Sequence, residues 1–312
     1  MHSDITLVGL DLGRGRVKGI SYKGDEERKI IFPSVMAPAY GLDLDPTENR
    51  IHISIDGLDE DVNQEWFVGD YALEQQNIIE YTTDSKTDIM SQILLATALS
   101  LLVDTPKCKV ALGVPKSMYT KEVLETIKST YLHKKITVQD KVDGKFKQVE
   151  VVDITIFSEA SASAIYLVSE QPELKNTDFG IANFGFKTLE KSYFSAGVKY
   201  VEGLSSSEEF GNMDVLEEVK KRLSSKKELQ QIDIETSGKY SEELGRAYSR
   251  NRAVAKAKIE RSWRQQKDDM KIFVTGGTAM HLNLDYPLIN DSQFSTARGL
   301  YLVAQKAFNR EA

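Results

Sequence analysis

Two apolar runs separated by a short turn constrain this chain most. Ile5 to Leu12 reads as a buried strand and Val17 to Tyr22 as a second. Between them Gly13 and Gly15 can take backbone angles closed to other residues, so the strands are joined by a tight turn. Such a turn aims successive backbone N–H groups into one concavity, which suits an anion. Asp11 at the strand end can hold the waters of a bound Mg²⁺, and Lys18 can reach a phosphate. Asp-x-Gly at a strand end is also what an ordinary hairpin contains, so this stretch alone leaves both readings open.

Length and charge narrow the field. A chain of 312 residues exceeds the usual single-domain size, and two lobes are expected. With 47 acidic against 40 basic residues the net charge is −7, which argues against direct nucleic-acid binding. One cysteine, Cys108, cannot form an internal disulfide, so a cytoplasmic location is expected. His2, His52, His133 and His281 show no metal-ligand spacing. The N-terminus lacks a basic segment followed by an apolar core, and no secretory signal is expected. The apolar stretch Ile89 to Val103 is too short and interrupted to span a bilayer, so no membrane partner is expected.

Strands and helices alternate along the chain, which argues for an α/β fold. A polar insertion, Gly41 to Asp61, contains Ile51, Ile53 and Ile55 alternating with His52 and Ser54, as in a half-buried strand. Residues of about 31 to 75 therefore read as a small sheet inserted in the first lobe. Asp84 or Ser85 can cap a helix running to about Val103. Ile136 to Val138 and Phe146 to Val152 suggest a hairpin, and Asp153 to Phe157 a further strand. The domains expected are a first lobe over 1–170 and a second over 171–312, whose final helix at about 295–310 packs back on the first.

Three more stretches can carry chemistry. Asn183-Phe184-Gly185-Phe186-Lys187-Thr188 is another strand-turn-strand, able to hold phosphates or to be a plain hairpin. Thr275-Gly276-Gly277-Thr278-Ala279 lies between a strand and a short helix; its glycines let a base or sugar approach backbone, unless it is an empty turn. Glu159, in Ser158-Glu159-Ala160-Ser161-Ala162, opens a helix where the macrodipole stabilises a carboxylate. It can also polarise water for attack on a phosphate. The small residues after it allow close helix packing. Between Arg246 and Arg264 seven basic residues accompany one acid, Glu260; a filament contact, a nucleotide-facing helix and a solvated face all fit.

Taken together and in this order, the motifs resemble the actin, heat-shock chaperone and sugar-kinase superfamily. Asp11-Leu12-Gly13 through Lys18 is similar to its first phosphate loop, Asn183 to Thr188 to its second, and Thr275 to Thr278 to its adenosine loop. Phe32-Pro33-Ser34, Val68 to Ala72, Gly113-Val114-Pro115 and Phe294 to Leu300 resemble stretches of bacterial plasmid-segregating actins of the ParM (StbA) type.

The resemblance implies an actin-like fold of two lobes, each with a mixed sheet and flanking helices, and a nucleotide in the cleft. It implies an ATPase, with ATP or GTP and Mg²⁺ bound, that polymerises into filaments and segregates plasmid DNA. The partners implied are further copies of the chain and a DNA-binding adaptor on a centromere-like site. Asp11 and Asn183 would arrange Mg²⁺ and water, and Glu159 would orient the attacking water. Gly13, Arg14, Gly15, Lys18, Gly185 and Thr188 would hold phosphates; Gly276, Gly277 and Thr278 would border the adenosine. Asn183 departs from the family's aspartate, removing a charge near Mg²⁺ and weakening metal affinity or hydrolysis. Two alternatives stand beside this reading: a small-molecule kinase of the same superfamily, for which no acceptor base is evident, and a nucleotide-binding scaffold that never hydrolyses.

Overall fold

The computed structural model describes residues 5–39, 50–223, 234 and 238–308. It divides into two compact units, Met1–Ser163 with Thr296–Ala312, and Ala164–Ser295. Residues 41–49 of the polar insertion, and 309–310 at the end of the expected final helix, lie outside the described residues.

The first unit is built on one ten-stranded sheet. Its strands are β1 (Ile5–Leu12), β2 (Arg16–Lys23), β3 (Glu26–Pro33), β4 (Val35–Pro38), β5 (Ile51–Asp56), β6 (Glu65–Val68), β7 (Ile79–Glu80), β8 (Lys107–Val114), β9 (Lys135–Asp140) and β10 (Phe146–Ser158). Their spatial order is β3-β2-β1-β8-β10-β9-β5-β6-β4-β7. The helices are α1 (Asp70–Leu73), α2 (Ile89–Leu102), α3 (Lys121–Tyr131) and α4 (Glu159–Glu170), the last crossing the division between units. Val8, Leu10 and Leu12 of β1, Val110 and Leu112 of β8, and most of α2 form one buried core. Ile93, Leu94, Leu95, Ala96 and Leu99 are all buried, as expected of a helix apolar on most faces.

Four sequence expectations change here. The inserted strands do not form a sheet of their own: β5 pairs antiparallel with β9 and so extends the main sheet. Within β5, His52 is buried rather than turned outward, with the Phe67 ring packed against its own at 4.6 Å and tilted by 56°. Residues 146–158 are one strand, not two. A register shift between Val151 and Asp153 lets β10 pair antiparallel with β9 in its first part, while its later residues pair parallel with β8. Finally α2 is capped by Asp88, whose carboxylate accepts from the Ser91 N–H at 2.8 Å, and not by Asp84 or Ser85.

The second unit carries a five-stranded sheet from β11 (Phe179–Phe184), β12 (Thr188–Ser195), β13 (Lys199–Tyr200), β14 (Ser206–Glu209) and β15 (Lys271–Thr275). The order is β13-β12-β11-β15, with β14 also pairing β12. Its helices are α5 (Asn212–Leu223), α6 (Ser241–Ser262) and α7 (Ala279–Leu282). Trp263, just past α6, is fully buried among Phe184, Ile259 and Val274.

The last helix, α8 (Ser295–Phe308), returns to the first unit. It lies so close to β1 that a Cβ on Gly9 would stand 2.3 Å from the Tyr301 nitrogen. Gly299 touches α4 as closely: a Cβ there would lie 1.8 Å from the Ala162 carbonyl oxygen. The small residues after Glu159 thus serve the close helix packing read from the sequence.

Candidate functional site

In the first unit the turn between β1 and β2 follows from its sequence. The strands pair antiparallel up to Leu12 and Val17, leaving Gly13, Arg14 and Gly15 to reverse the chain. Asp11, almost wholly buried, receives the Lys18 ammonium at 3.4 Å, so the two predicted residues face each other across the hairpin. Arg14 lies 3.6 Å from Asp84.

The carbonyls of Leu12, Gly13 and Gly15 are occupied by the protein's own donors. Ser34 donates its hydroxyl to the Gly13 carbonyl at 2.5 Å and its N–H to the Gly15 carbonyl at 3.1 Å. Lys86 donates to the Leu12 carbonyl at 2.6 Å. With these acceptors satisfied from within, the turn's shape is set before any ligand arrives.

Glu159 stands at the start of α4, where the helix dipole favours its charge. Its Oε1 is 3.6 Å from the Lys86 ammonium. Gly113, near the end of β8, is also close; a Cβ there would come within 3.0 Å of the Glu159 Cγ. Tyr81 also neighbours this group. Burial first, then the carboxylates of Asp88, Glu159 and Asp84, push its hydroxyl well above the ordinary range. It therefore stays a donor, and it donates to the Ser85 carbonyl.

The second unit has a matching arrangement. Gly185 donates to the Thr188 carbonyl at 2.9 Å, closing the turn between β11 and β12. The Gly185 carbonyl accepts from the Thr278 hydroxyl at 2.9 Å and from the Asn212 N–H at 3.2 Å. The Phe186 carbonyl accepts from the Met213 N–H at 2.8 Å. Gly276 has φ of 96°, which a side chain disfavours, and a Cβ there would meet the Phe184 carbonyl at 2.3 Å and Asn183 Oδ1 at 2.6 Å. Around Gly277 there is more room, with Gln293 first met at 3.5 Å. Asn183, Gly185, Thr188, Gly276 and Thr278 are thereby gathered at one end of the β11–β15 pair.

The structure brings Asp11 with Lys18, and Glu159 with the end of β1, but it also brings in residues that sequence reasoning missed. Lys86 sits in the polar run Thr82 to Asp88, where a lysine reads as solvated. Asn212 carries no signal of its own in the sequence, yet its N–H and that of Met213 hold the second turn. The basic stretch of α6 is matched by acids from other elements: Arg250 with Glu218, Arg252 and Lys256 with Asp285, and Lys258 with Glu208. Arg246 pairs with Glu242 on α6 itself. Of the three readings, a solvated and locally neutralised face fits these pairs.

Among the described residues no group of three or more His, Cys, Asp or Glu could hold a metal ion alone. Mg²⁺ needs less, because it keeps several waters and takes one or two carboxylates together with substrate phosphates. Asp11 at the first turn fits that requirement. No helix of the described residues is long and apolar enough to cross a membrane.

The model of the actin-like proteins' N-terminal domain matches residues 9–161. A search of curated proteins finds no match. Among solved structures the chain is similar to an archaeal actin homologue, at 19% identity and a TM-score of 0.80 over 96% of this chain and 99% of that one. It is similar to the protein of a 15-stranded ParM filament from Clostridium botulinum, at 21% identity and a TM-score of 0.78 over 96% and 99%. Bacillus thuringiensis ParM with AMPPNP matches at 17% identity and a TM-score of 0.75 over 98% and 100%. Residues 9–161 are therefore similar to the N-terminal domain of the actin-like proteins, and the chain as a whole has the actin-like fold.

Proposed function

We propose that the protein is a ParM-type filament-forming ATPase of the cytoplasm that moves plasmid DNA. The observation that carries this reading is the convergence at the end of β1: Asp11 and Lys18 face each other there, and Lys86 joins the Leu12 carbonyl to the neighbourhood of Glu159. An acid at a helix start beside a glycine turn suits the orientation of water for attack on a phosphate.

In this reading the turn of Gly13, Arg14 and Gly15, with Lys18, takes phosphates, and Gly185 and Thr188 of the second turn are phosphate-binding as well. Gly276, Gly277 and Thr278 border the adenosine, their open backbone leaving space for the sugar and base. Glu159 holds the attacking water and accepts its proton. Asp11, through water, and Asn183 would hold Mg²⁺, which would supply positive charge against the phosphates. Binding and cleavage of the nucleotide favour different conformations, which alters the contacts between subunits of the filament. With a net charge of −7 the filament leaves DNA contact to a basic adaptor. A structure of a ParM filament and one of ParM with AMPPNP, both similar to this chain, support self-assembly and nucleotide binding here.

The test is sedimentation and electron microscopy of the purified chain with Mg²⁺ and ATP or GTP, with phosphate release measured alongside. Polymer that pellets only with nucleotide is expected. Absence of polymer at every concentration would remove the cytoskeletal part, and ADP formation that depends on an added sugar, without matching release of inorganic phosphate, would favour a kinase.

A further inference from the structure

We infer that Lys86 is a positioning residue for hydrolysis, fixing the Glu159 carboxylate relative to the first glycine turn. This rests on the nucleotide reading given above. A lysine ordinarily keeps its ammonium in water and buries only its stem. Lys86 does the reverse: its side chain is 4% exposed, with the ammonium on the Leu12 carbonyl and 3.6 Å from Glu159 Oε1. The Tyr81 ring closes over it, 5.7 Å from the ammonium. Taking an ammonium out of water is costly unless it is paired and hydrogen-bonded, and here both partners belong to the candidate site.

The segment that delivers it is tied down along its length. The Tyr81 N–H donates to the Ser34 carbonyl at 3.0 Å, and Ser34 is the residue that grips Gly13 and Gly15. The Ser85 N–H donates to the Thr83 hydroxyl at 2.8 Å, and that hydroxyl donates to Asp88 at 2.9 Å. The carbonyl of Lys86 itself accepts from the Tyr131 hydroxyl at 2.5 Å, and that of Thr87 from Gln92 at 2.9 Å. Such a fixed backbone leaves the ammonium little choice of place. Leu12 is the neighbour of both Asp11 and Gly13, so one cation sets the end of β1 and the facing side of Glu159 together. Gly113 packs against the same side chain, since a Cβ there would lie 3.0 Å from the Glu159 Cγ. A carboxylate held in this way is pre-set for its water, and misplacement of about 1 Å in such a group lowers turnover by about 100-fold.

Full-length protein with Mg²⁺ and ATP tests this through four variants: Lys86→Met, Lys86→Gln, Glu159→Gln and the Lys86→Met/Glu159→Gln double. Phosphate-release turnover, affinity for a fluorescent non-hydrolysable ATP analogue and melting temperature are measured for each. Lys86→Met is expected to lower turnover by about 10- to 100-fold while analogue affinity changes less than about threefold. In the double variant turnover is expected to be no lower than in Glu159→Gln alone, because the two act as a unit. Lys86→Gln keeps a donor for Leu12 without the charge; should Lys86→Met not fold, this variant is expected to show the same loss. Unchanged turnover, a full extra loss in the double variant, or equal losses of affinity and turnover would each overturn the inference while wild-type hydrolysis stands. No hydrolysis by the wild type would instead overturn the nucleotide reading itself.

Discussion

The Arg298 guanidinium makes two hydrogen bonds to the Glu27 carboxylate, at 2.8 and 3.0 Å, and so ties α8 to the β2–β3 hairpin. The Tyr22 hydroxyl donates to the same carboxylate at 2.6 Å. Arg298 is the larger cause, with Tyr22 helping, that holds Glu27 below its ordinary value of 4.5 against the opposing effect of burial. A carboxylate held down in the folded state stabilises above its unfolded pKa, and that contribution is lost as the pH falls through the lowered folded value.

Arg298→Met should therefore destabilise the protein at neutral pH by about 1 kcal/mol, a figure reduced for the partial exposure of the pair. Its deficit against the wild type should shrink as the pH is taken well below 4.5. Urea unfolding of both proteins across that range checks the sign; a deficit that grows in acid would contradict it.

Gly299→Ala should be far worse than its size suggests. The added carbon would meet backbone, the Ala162 carbonyl, and neither helix can yield as a flexible side chain would. A loss of about 3 kcal/mol or failure to fold is expected. Gly203→Ala, with open space around it, should change stability by less than about 0.5 kcal/mol. Melting temperatures of the two variants measure the contrast.

Asn183→Asp restores a carboxylate at the end of β11 without changing shape. Phosphate release should rise by about tenfold at limiting Mg²⁺, since added carboxylate strengthens the hold on a hard cation. No gain at any Mg²⁺ concentration would leave the asparagine without an account in charge.

Glu159→Gln keeps the volume and removes the base. Turnover should fall by about 100-fold with nucleotide affinity retained. Filaments, if nucleotide cleavage releases them, should persist longer in ATP, as followed by sedimentation over time.

Much of this protein is written in local pattern. The β1–β2 hairpin follows from apolar runs broken by Gly13 and Gly15, and α2 from a stretch apolar on most faces. Long-range pairing is not local, and that is where the sequence was silent. Nothing in the alternation of Ile51, Ile53 and Ile55 says that β9 will be the neighbour. Asp153 looks like the break between two strands, yet a one-residue bulge lets a single strand pass through it. Lys86 was hidden because a lysine among Ser, Thr and Asp reads as solvated; only the fold reveals that its ammonium is enclosed. The cations of α6 looked like a patch because their acids, Glu208, Glu218 and Asp285, lie on other elements.

The return of α8 to β1 sets a timetable for synthesis. The strand that carries Asp11 is made before the second unit, but the helix that covers Gly9 is made after it. At about 5–20 residues per second, the ~130 residues from Ala164 to Ser295 take on the order of ten seconds to translate. Through that interval the nascent first unit lacks its closing helix, and by its end the second unit has all of its residues. The half begun earliest is thus completed last on the ribosome.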